Sequence, residues 1–288
     1  MNLINQLISN YLNNQIITSQ VVVNWLLNNQ NNSNSIFLLG YLSLYGIKMN
    51  ENKEKAFKLF INASKQDHIL AQYYIGFCYK HGHGVKKDEK LAFEYYKKVV
   101  DKDFAGGQLN IGYLYKNGIR IKKDLKIAIY WYEKSAEQEN QKAQFNLGLL
   151  YENGDETNKN IKNIDKAIYW YKKSARQGDQ DAQNNLAIIY RNLNDESTAT
   201  YWYEKSAEQG NQTAQYKLAN MYRLRNNVNK AIYWYEKFAE QSDQTAQYYL
   251  ANMYRIKNDK DKAIYWYKKS AEQGHKEAQY NLAYVWKK

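Results

Sequence analysis

Proline is absent from the 288 residues of this chain. Because proline removes a backbone donor and breaks helices, its absence suits an all-helical fold. No apolar run approaches the ~20 residues that a membrane-spanning helix needs, and we expect no membrane contact. The first six residues lack a basic segment followed by a long apolar one, so we expect no signal peptide.

Cysteine occurs once, as Cys78, which excludes an internal disulfide and a zinc site built from several cysteines. A reducing compartment is the simplest setting, and we expect a cytoplasmic protein. The four histidines never recur at one position of a repeat, and the carboxylates are scattered. We therefore expect no enzyme, no cofactor and no bound metal.

Tyrosine, in contrast, is abundant: 29 residues, beside 7 Trp, 8 Phe and 4 Met. Hydrophobic residues make up 44% of the chain, which is enough for a packed core. The net charge of +12 points to an acidic partner only weakly, since a lysine-rich solvated surface gives the same value.

One segment recurs along the chain with the pattern Ala-Ile-Tyr-Trp-Tyr or a variant of it. The copies begin at Ala56, Ala92, Ala128, Ala167, Ala199, Ala231 and Ala263. Apolar or small residues follow at i+3, i+4, i+7 and i+8, which is the spacing of one buried helical face. We name each predicted helix of this kind a B helix.

A second segment alternates with the first and has glutamine as its second residue. Its copies begin at Ala71, Gly107, Ala143, Ala182, Ala214, Ala246 and Ala278. Numbered from that first residue, positions 1, 5, 8 and 9 are the core stripe of a predicted A helix. Position 6 is glycine or alanine, which lets a neighbouring helix approach closely.

The spacing of the two segments predicts how the helices are arranged. From each B alanine to the next A helix is always 15 residues, whereas from an A helix to its own B helix is 17 to 24. A regular joint between repeats with a variable loop inside them is typical of a solenoid. The sequence therefore predicts an all-α fold, a right-handed α-solenoid (superhelix) of antiparallel helix pairs.

The predicted array covers residues 35–288, with seven helix pairs and a terminal half-repeat. Residues 1–34 are expected to form a helical N-terminal cap rather than an independent binding element. Its two short helices would contain Leu3 to Leu12 and Val21 to Leu26. Glycines at Gly82, Gly118, Gly178, Gly210 and Gly274 are predicted to end helices, and Asp88, Asp124, Asp179 and Asn211 to begin them.

With these motifs in view, the chain resembles the Sel1-like repeat family, which is related to tetratricopeptide repeats. Residues 143–154 carry the likeness for the A helix and its turn, and residues 166–178 carry it for the B helix. The resemblance implies a scaffold or adaptor role in signalling and protein quality control. The chain also resembles arrays in large fungal families that often follow a protein kinase domain, although the kinase motifs are missing here.

Positions 3, 7 and 10 of the A helices lie on one flank beside the core stripe, and we call this surface the groove flank. The candidate partner-binding residues are Tyr73, Phe77, Lys80, Tyr113, Lys116, Arg191, Tyr216, Asn220, Arg223, Tyr248, Asn252 and Arg255. Aromatic rings beside a row of cations suit an extended acidic peptide. The alternative is that these cations only favour the helix C-terminal dipole.

Two other sets of residues have a functional and a structural interpretation. The glutamine at position 2 could bind a ligand, but a hydrogen bond to the preceding turn is favoured. His81 and His83, with Cys78 nearby, are metal-ligand types, yet the histidines occupy an ordinary turn and Cys78 a core position.

The leading functional hypothesis is a non-catalytic scaffold that binds a partner protein or acidic peptide. One alternative is a regulatory region that acts with a protein kinase in signalling. Another is RNA binding through the basic surface. Recurring acidic residues on the B helices, such as Glu133, Glu204 and Glu236, argue against nucleic acid as the partner.

Overall fold

The computed structural model describes residues 19–154, 161–239 and 243–285, and these residues form sixteen α-helices and no strand. The all-helical prediction is thus confirmed. The first helix is α1 (Ser19–Asn28). The A helices are α2 (Ser33–Tyr45), α4 (Ile69–His81), α6 (Ala105–Asn117), α8 (Gln141–Asn153), α10 (Gln180–Asn192), α12 (Gln212–Leu224), α14 (Gln244–Ile256) and α16 (Lys276–Val285). The B helices are α3 (Lys53–Ser64), α5 (Glu89–Val100), α7 (Leu125–Glu137), α9 (Ile164–Arg176), α11 (Glu196–Glu208), α13 (Val228–Ala239) and α15 (Lys260–Glu272).

The contacts divide the chain into two compact units, Met1–Ala143 and Gln144–Lys288. In each unit A helices pack on the B helices that follow them, and B helices on the next A helix. In the first unit α1 packs on α2, where Val23 and Leu26 join the cluster of buried residues. The other predicted leader helix, from Leu3 to Leu12, lies outside the described residues.

The predicted helix ends are confirmed. Gly82 and Gly118 end α4 and α6 with φ of 70° and 64°, in the left-handed region that glycine adopts without strain. At the start of α10 the Asp179 carboxylate accepts from the backbone N–H of Ala182 at 2.9 Å. In the shorter repeats an asparagine takes the left-handed position after the A helix, as Asn194 does with φ of 61°.

A glutamine at position 2 of the A helix stabilises the joint between repeats. Gln183 is buried, and its side-chain amide donates to the carbonyl oxygen of Ala175 in the preceding B helix at 3.0 Å. Its own oxygen accepts from Gln209, just after the next B helix, at 2.8 Å. Because both bonds fix one A helix against the B helices before and after it, the constant 15-residue spacing has a physical reason. The predicted bond to the preceding turn is found where Gln72 donates to the Asp67 side chain at 3.0 Å, whereas Gln183 donates to the helix before that turn.

Each B helix inserts one large aromatic ring across position 6 of its own A helix. From α5 to α15 this residue is the second tyrosine of the Ala-Ile-Tyr-Trp-Tyr segment, and we call it the B tyrosine. The B tyrosines are Tyr96, Tyr132, Tyr171, Tyr203, Tyr235 and Tyr267, and none exposes surface to solvent. A Cβ at Gly148 would lie 2.4 Å from the Cδ1 atom of Tyr171. Glycine at position 6 therefore permits the close approach that the sequence predicts.

We predict that Gly148→Ala lowers the free energy of unfolding by about 1–3 kcal/mol, because the added methyl group overpacks a buried ring. Helix propensity alone would give the opposite sign, since alanine is favoured over glycine by about 1 kcal/mol in a helix interior. Urea unfolding followed by circular dichroism measures the change. The control is Ala187→Gly, at the same position of the next repeat, which should lose that propensity and the packing of one buried methyl group. A stabilised Gly148→Ala variant would contradict the close packing of Tyr171.

Candidate peptide-binding flank

In the first unit, the groove flank is a packed aromatic cluster with one cation bound across it. Tyr73 is half-buried, and its ring lies 5.2 Å from the ring of Phe104, centroid to centroid. The Lys80 ammonium group donates to the side-chain oxygen of Asn110 at 3.0 Å and lies 4.5 Å from the centroid of Tyr113. Lys80 thus joins its own A helix to the next one.

The histidines of the nearby turn pack on the same cluster. Phe77 contacts the rings of both His81 and His83, with centroids 4.5 Å and 5.5 Å apart. Burial is the main cause that lowers the pKa of each histidine, and neighbouring lysine charges lower it further. Both imidazoles therefore serve here as aromatic packing surfaces.

Burial also acts on the two flank lysines of the first unit. Desolvation lowers the pKa of Lys80, and the charge of Lys142 lowers it further. The same order of causes, with Lys123 as the neighbouring cation, lowers the pKa of Lys116. Each ammonium group is therefore held where its charge is partly desolvated and repelled.

In the second unit, the flank carries three arginines with different surroundings. Arg223 is half-buried, its guanidinium lies 5.1 Å from the ring centroid of Tyr249, and its Nε has no hydrogen-bond partner. Arg191 and Arg255 are exposed. Tyr216 and Tyr248 lie half-buried between them along the chain. The structure thus groups the flank residues of each unit by themselves.

The two flank asparagines hold B tyrosines. Asn220 accepts a hydrogen bond from the Tyr235 hydroxyl at 2.9 Å, and Asn252 accepts one from the Tyr267 hydroxyl at 2.6 Å. The oxygen of each amide is therefore already used inside the chain. Sequence reasoning placed these asparagines among the partner-binding residues but missed this role.

Glu152 is the single acidic residue at position 10 of the predicted A helices. It supplies the acceptor that the buried tyrosine hydroxyl of its repeat needs. Position 7 of its repeat is Leu149, which has no acceptor to offer. Here the Tyr171 hydroxyl donates to the Glu152 carboxylate at 2.6 Å, and Asn185 donates to that hydroxyl at 3.1 Å. A carboxylate at position 10 therefore reaches the B tyrosine of its own repeat.

Three B tyrosines have neither an asparagine at position 7 nor a carboxylate at position 10 as an acceptor. The hydroxyls of Tyr96, Tyr132 and Tyr203 are buried and have no acceptor for their proton. Position 7 of their repeats is Phe77, Tyr113 and Ile188, and position 10 is Lys80, Lys116 and Arg191. Burial raises the pKa of Tyr203, and a hydrogen bond from Arg191 together with its positive charge partly offsets that effect. In these three repeats position 10 therefore carries a cation instead of an acceptor, and in the Tyr203 repeat that cation contacts the hydroxyl.

The acidic residues of the B helices are engaged elsewhere. Glu204 accepts a hydrogen bond from Tyr222, the position 9 tyrosine of the next A helix, and Glu236 accepts one from Tyr254. Among the described residues, Lys116, Arg191, Arg223 and Arg255 form no ion pair with a carboxylate. The flank charges are therefore left uncompensated by the part of the chain that the structure describes.

Comparison with known proteins agrees with this repeat geometry. The family model for the Sel1 repeat matches residues 33–68, 69–103, 105–140, 141–179, 180–211, 212–243, 244–275 and 276–285. The chain belongs to the Sel1 repeat family. None of the curated protein sequences matches it.

Two solved structures are similar to this Sel1 repeat chain. A Sel1 repeat protein from Oxalobacter formigenes is 28% identical, with a TM-score of 0.66, over 74% of this chain and 89% of the other. The protein c5321, a protective antigen of uropathogenic Escherichia coli with a Sel1-like repeat fold, is 29% identical, with a TM-score of 0.52, over 92% and 67%. The likeness supports the solenoid class predicted from the repeats.

The B helices of the Sel1 array carry an exposed aromatic row that sequence reasoning passed over. Its members are Tyr130, Tyr169, Tyr201, Tyr233 and Tyr265, each 50–53% exposed. Each ring meets the following tryptophan edge to face, with centroids 4.8–5.0 Å apart. The Ala-Ile-Tyr-Trp-Tyr segment could have predicted these exposed tyrosines, because its first tyrosine falls outside the helical spacing of the buried face.

Neither a metal cluster nor a membrane span is found among the described residues. No group of three or more histidine, cysteine or acidic residues lies close enough in this part of the chain to hold a metal ion. None of its helices is both long and apolar enough to cross a membrane. Cys78 is fully buried, and burial raises the pKa of its thiol to about 12.

We predict that the Asn220→Leu variant lowers the free energy of unfolding by about 1–3 kcal/mol, because it leaves the buried Tyr235 hydroxyl without an acceptor. Adding Tyr235→Phe should recover part of that loss, which a double-mutant cycle in urea measures. The matched control is Asn227→Leu with the same Tyr235→Phe change, since the Asn227 side chain accepts instead from the backbone N–H of Lys230 at 3.2 Å. Additive losses in the Asn220 cycle would show that the bond to Tyr235 contributes nothing.

We also predict that the Cys78 thiol of the native array resists Ellman's reagent at pH 8, because it is buried and the thiolate is the reactive form. Labelling should proceed only as the repeats that enclose Cys78 unfold. The absorbance of the released thiolate measures the rate with and without urea. Rapid labelling of the native chain would contradict the core position of Cys78.

Proposed function

We propose that this Sel1 array is a non-catalytic scaffold that binds a partner protein through an extended acidic peptide on the groove flank. Sel1 and tetratricopeptide-like repeats are commonly protein-interaction scaffolds, and this chain belongs to the first of these families. The binding residues in the proposal are the twelve flank residues predicted from the sequence. A lone, buried cysteine suits the reducing cytoplasm, where we propose that the scaffold acts.

The observation that carries this proposal is the set of cations without carboxylate partners. Lys80 and Lys116 are half-buried and have lowered pKa values, so a bound carboxylate would relieve both the desolvation and the repulsion. Arg191, Arg223 and Arg255 add guanidinium groups, which pair with carboxylates through two parallel hydrogen bonds. An acidic segment is therefore the partner chemistry that the flank favours.

The aromatic residues supply a second reason to expect a peptide. The Tyr216 ring packs on Phe238, with centroids 5.7 Å apart, and Tyr248 stacks on His275 at 4.5 Å. Rings held in this way offer contact area that loses little side-chain entropy when a partner binds. The flank thus combines fixed apolar area with charge.

The test is affinity capture from a lysate of the source cells at low and at high salt. The variant Arg191→Glu, Arg223→Glu, Arg255→Glu should lose at least tenfold of a retained partner's signal, because reversing three charges at an interface costs more than ~1.4 kcal/mol. The matched control is Lys205→Glu, Lys237→Glu, Lys269→Glu, which makes the same charge change on the B helices.

The two variants separate the outcomes. Loss in the arginine variant alone supports binding on the groove flank. Equal retention by wild type and both variants overturns it, and loss in the lysine variant alone moves the binding surface to the exposed tyrosine row. Retention that depends on RNA and falls steeply with salt would favour nucleic acid as the partner.

A further inference from the structure

We propose that the three B tyrosines without an acceptor, together with the cations at position 10 of the same repeats, are carboxylate-binding subsites of the groove flank. The subsites pair Tyr96 with Lys80, Tyr132 with Lys116 and Tyr203 with Arg191. The inference rests on the proposed function, because it assigns where in the flank the acidic groups of a peptide bind. It also predicts that the flank residues are not equivalent to one another.

The position of each B tyrosine hydroxyl follows from the repeats in which it is bonded. The Tyr235 and Tyr267 hydroxyls donate to position 7 of their A helices, and the Tyr171 hydroxyl donates to position 10. Because the rings cross the same small residue at position 6, the hydroxyl reaches the flank between positions 7 and 10. The rings of Tyr96 and Tyr132 cross Gly76 and Gly112 in the same register.

Glu152 shows what a carboxylate does at this place. Its carboxylate accepts the Tyr171 proton at 2.6 Å, and Asn185 of the next A helix donates to the same hydroxyl. In the three proposed subsites a lysine or arginine replaces that glutamate, so the donor remains and the acceptor is lost. A carboxylate from a partner would restore the acceptor and neutralise the cation in one step.

The Tyr203 subsite has the most donors for a carboxylate among the three subsites. Arg191 is exposed, and the next A helix places Lys217 at position 4, where Asn185 stands beside Tyr171. The subsite therefore offers a hydroxyl and two cations, all of them donors. The hydroxyl is shielded from solvent, so the carboxylate enters where the Arg191 side chain lies, and a long flexible side chain can turn aside for it.

By the same reasoning, Arg223 and Arg255 do not belong to carboxylate-binding subsites. In their repeats Asn220 and Asn252 already accept the hydroxyl proton. Those arginines can attract an acidic peptide but have no tyrosine donor to share with it. Acidic residues of the peptide are therefore expected to bind beside Tyr203 rather than beside Tyr235 or Tyr267.

The experiment compares two sets of tyrosine-to-phenylalanine changes that remove only hydroxyl groups. The test variant is Tyr96→Phe, Tyr132→Phe, Tyr203→Phe, and the matched control is Tyr235→Phe, Tyr267→Phe. The probe is a fluorescein-labelled peptide of alternating glutamate and alanine, with a glutamine–alanine peptide as the uncharged comparison. Fluorescence anisotropy at low salt measures affinity, and thermal unfolding by circular dichroism measures stability.

We expect the test variant to bind the glutamate peptide about tenfold more weakly, because each change removes a hydrogen bond to a charged group. Its unfolding temperature should stay the same or rise, since the deleted hydroxyls have no acceptor for their proton in the free chain. The control should unfold at a lower temperature and bind as the wild type does. This crossed pattern of affinity and stability would not arise if the tyrosines were merely structural.

The opposite results are equally informative. Unchanged affinity in the test variant, with weak binding by the triple arginine-to-glutamate variant, overturns the tyrosine subsites and leaves the acidic-peptide flank standing. Equal weakening by test and control overturns the assignment of particular repeats. No binding by the wild-type chain, or equal affinity for the glutamine peptide, overturns the acidic-peptide proposal together with the subsites.

Discussion

The structure depends on one contact that is made again in every repeat, the crossing of a buried B-helix ring over a small residue of the A helix. The ring is fully buried, and at position 6 of the A helix only glycine or alanine leaves room for it. This contact sets the distance between the helices of a pair. Glutamine bonds at position 2, such as those of Gln183, then fix an A helix against the B helices before and after it, so that packing and register repeat together.

Because the ring is a tyrosine from α5 onward, the same contact creates a polar requirement at the groove flank. A buried hydroxyl without a partner destabilises a fold by about 1–3 kcal/mol. The chain meets the requirement with asparagine at Asn220 and Asn252 and with a carboxylate at Glu152. In α3 the corresponding ring is Phe60, which has no hydroxyl and needs no acceptor. The polar residues of the flank are therefore partly a consequence of core packing.

Much of the fold could be predicted because each feature is local in the sequence. Helix periodicity, the glycines after helices such as Gly82 and Gly178, and the constant joint all depend on neighbours a few residues apart. The flank chemistry could not be predicted in the same way. Whether Tyr235 meets Asn220 depends on two helices crossing at a given register over 15 residues, and the same residue types read alone suggested a partner contact.

Glu152 illustrates the difference most clearly. In the sequence it is one acidic exception in a basic row, and it weakens the argument for a cationic flank. In the structure its carboxylate accepts the Tyr171 hydroxyl proton, so its place in the row is explained by a bond inside its own repeat. Whether a repeat supplies an acceptor for its B tyrosine therefore explains both cases. Glu152 is that acceptor in its repeat, and the repeat of Tyr203 and Arg191 has none.

The repeats also differ in stability according to whether they supply an acceptor for the B tyrosine. Repeats that satisfy their own tyrosine, such as the Asn220–Tyr235 and Asn252–Tyr267 pairs, gain stability from that bond. Repeats that leave a hydroxyl unpartnered give up that stability, and a bound carboxylate can recover it. Because a ligand that binds only the folded state stabilises it, the proposed subsites would couple partner binding to the stability of those repeats through the tyrosine hydroxyl.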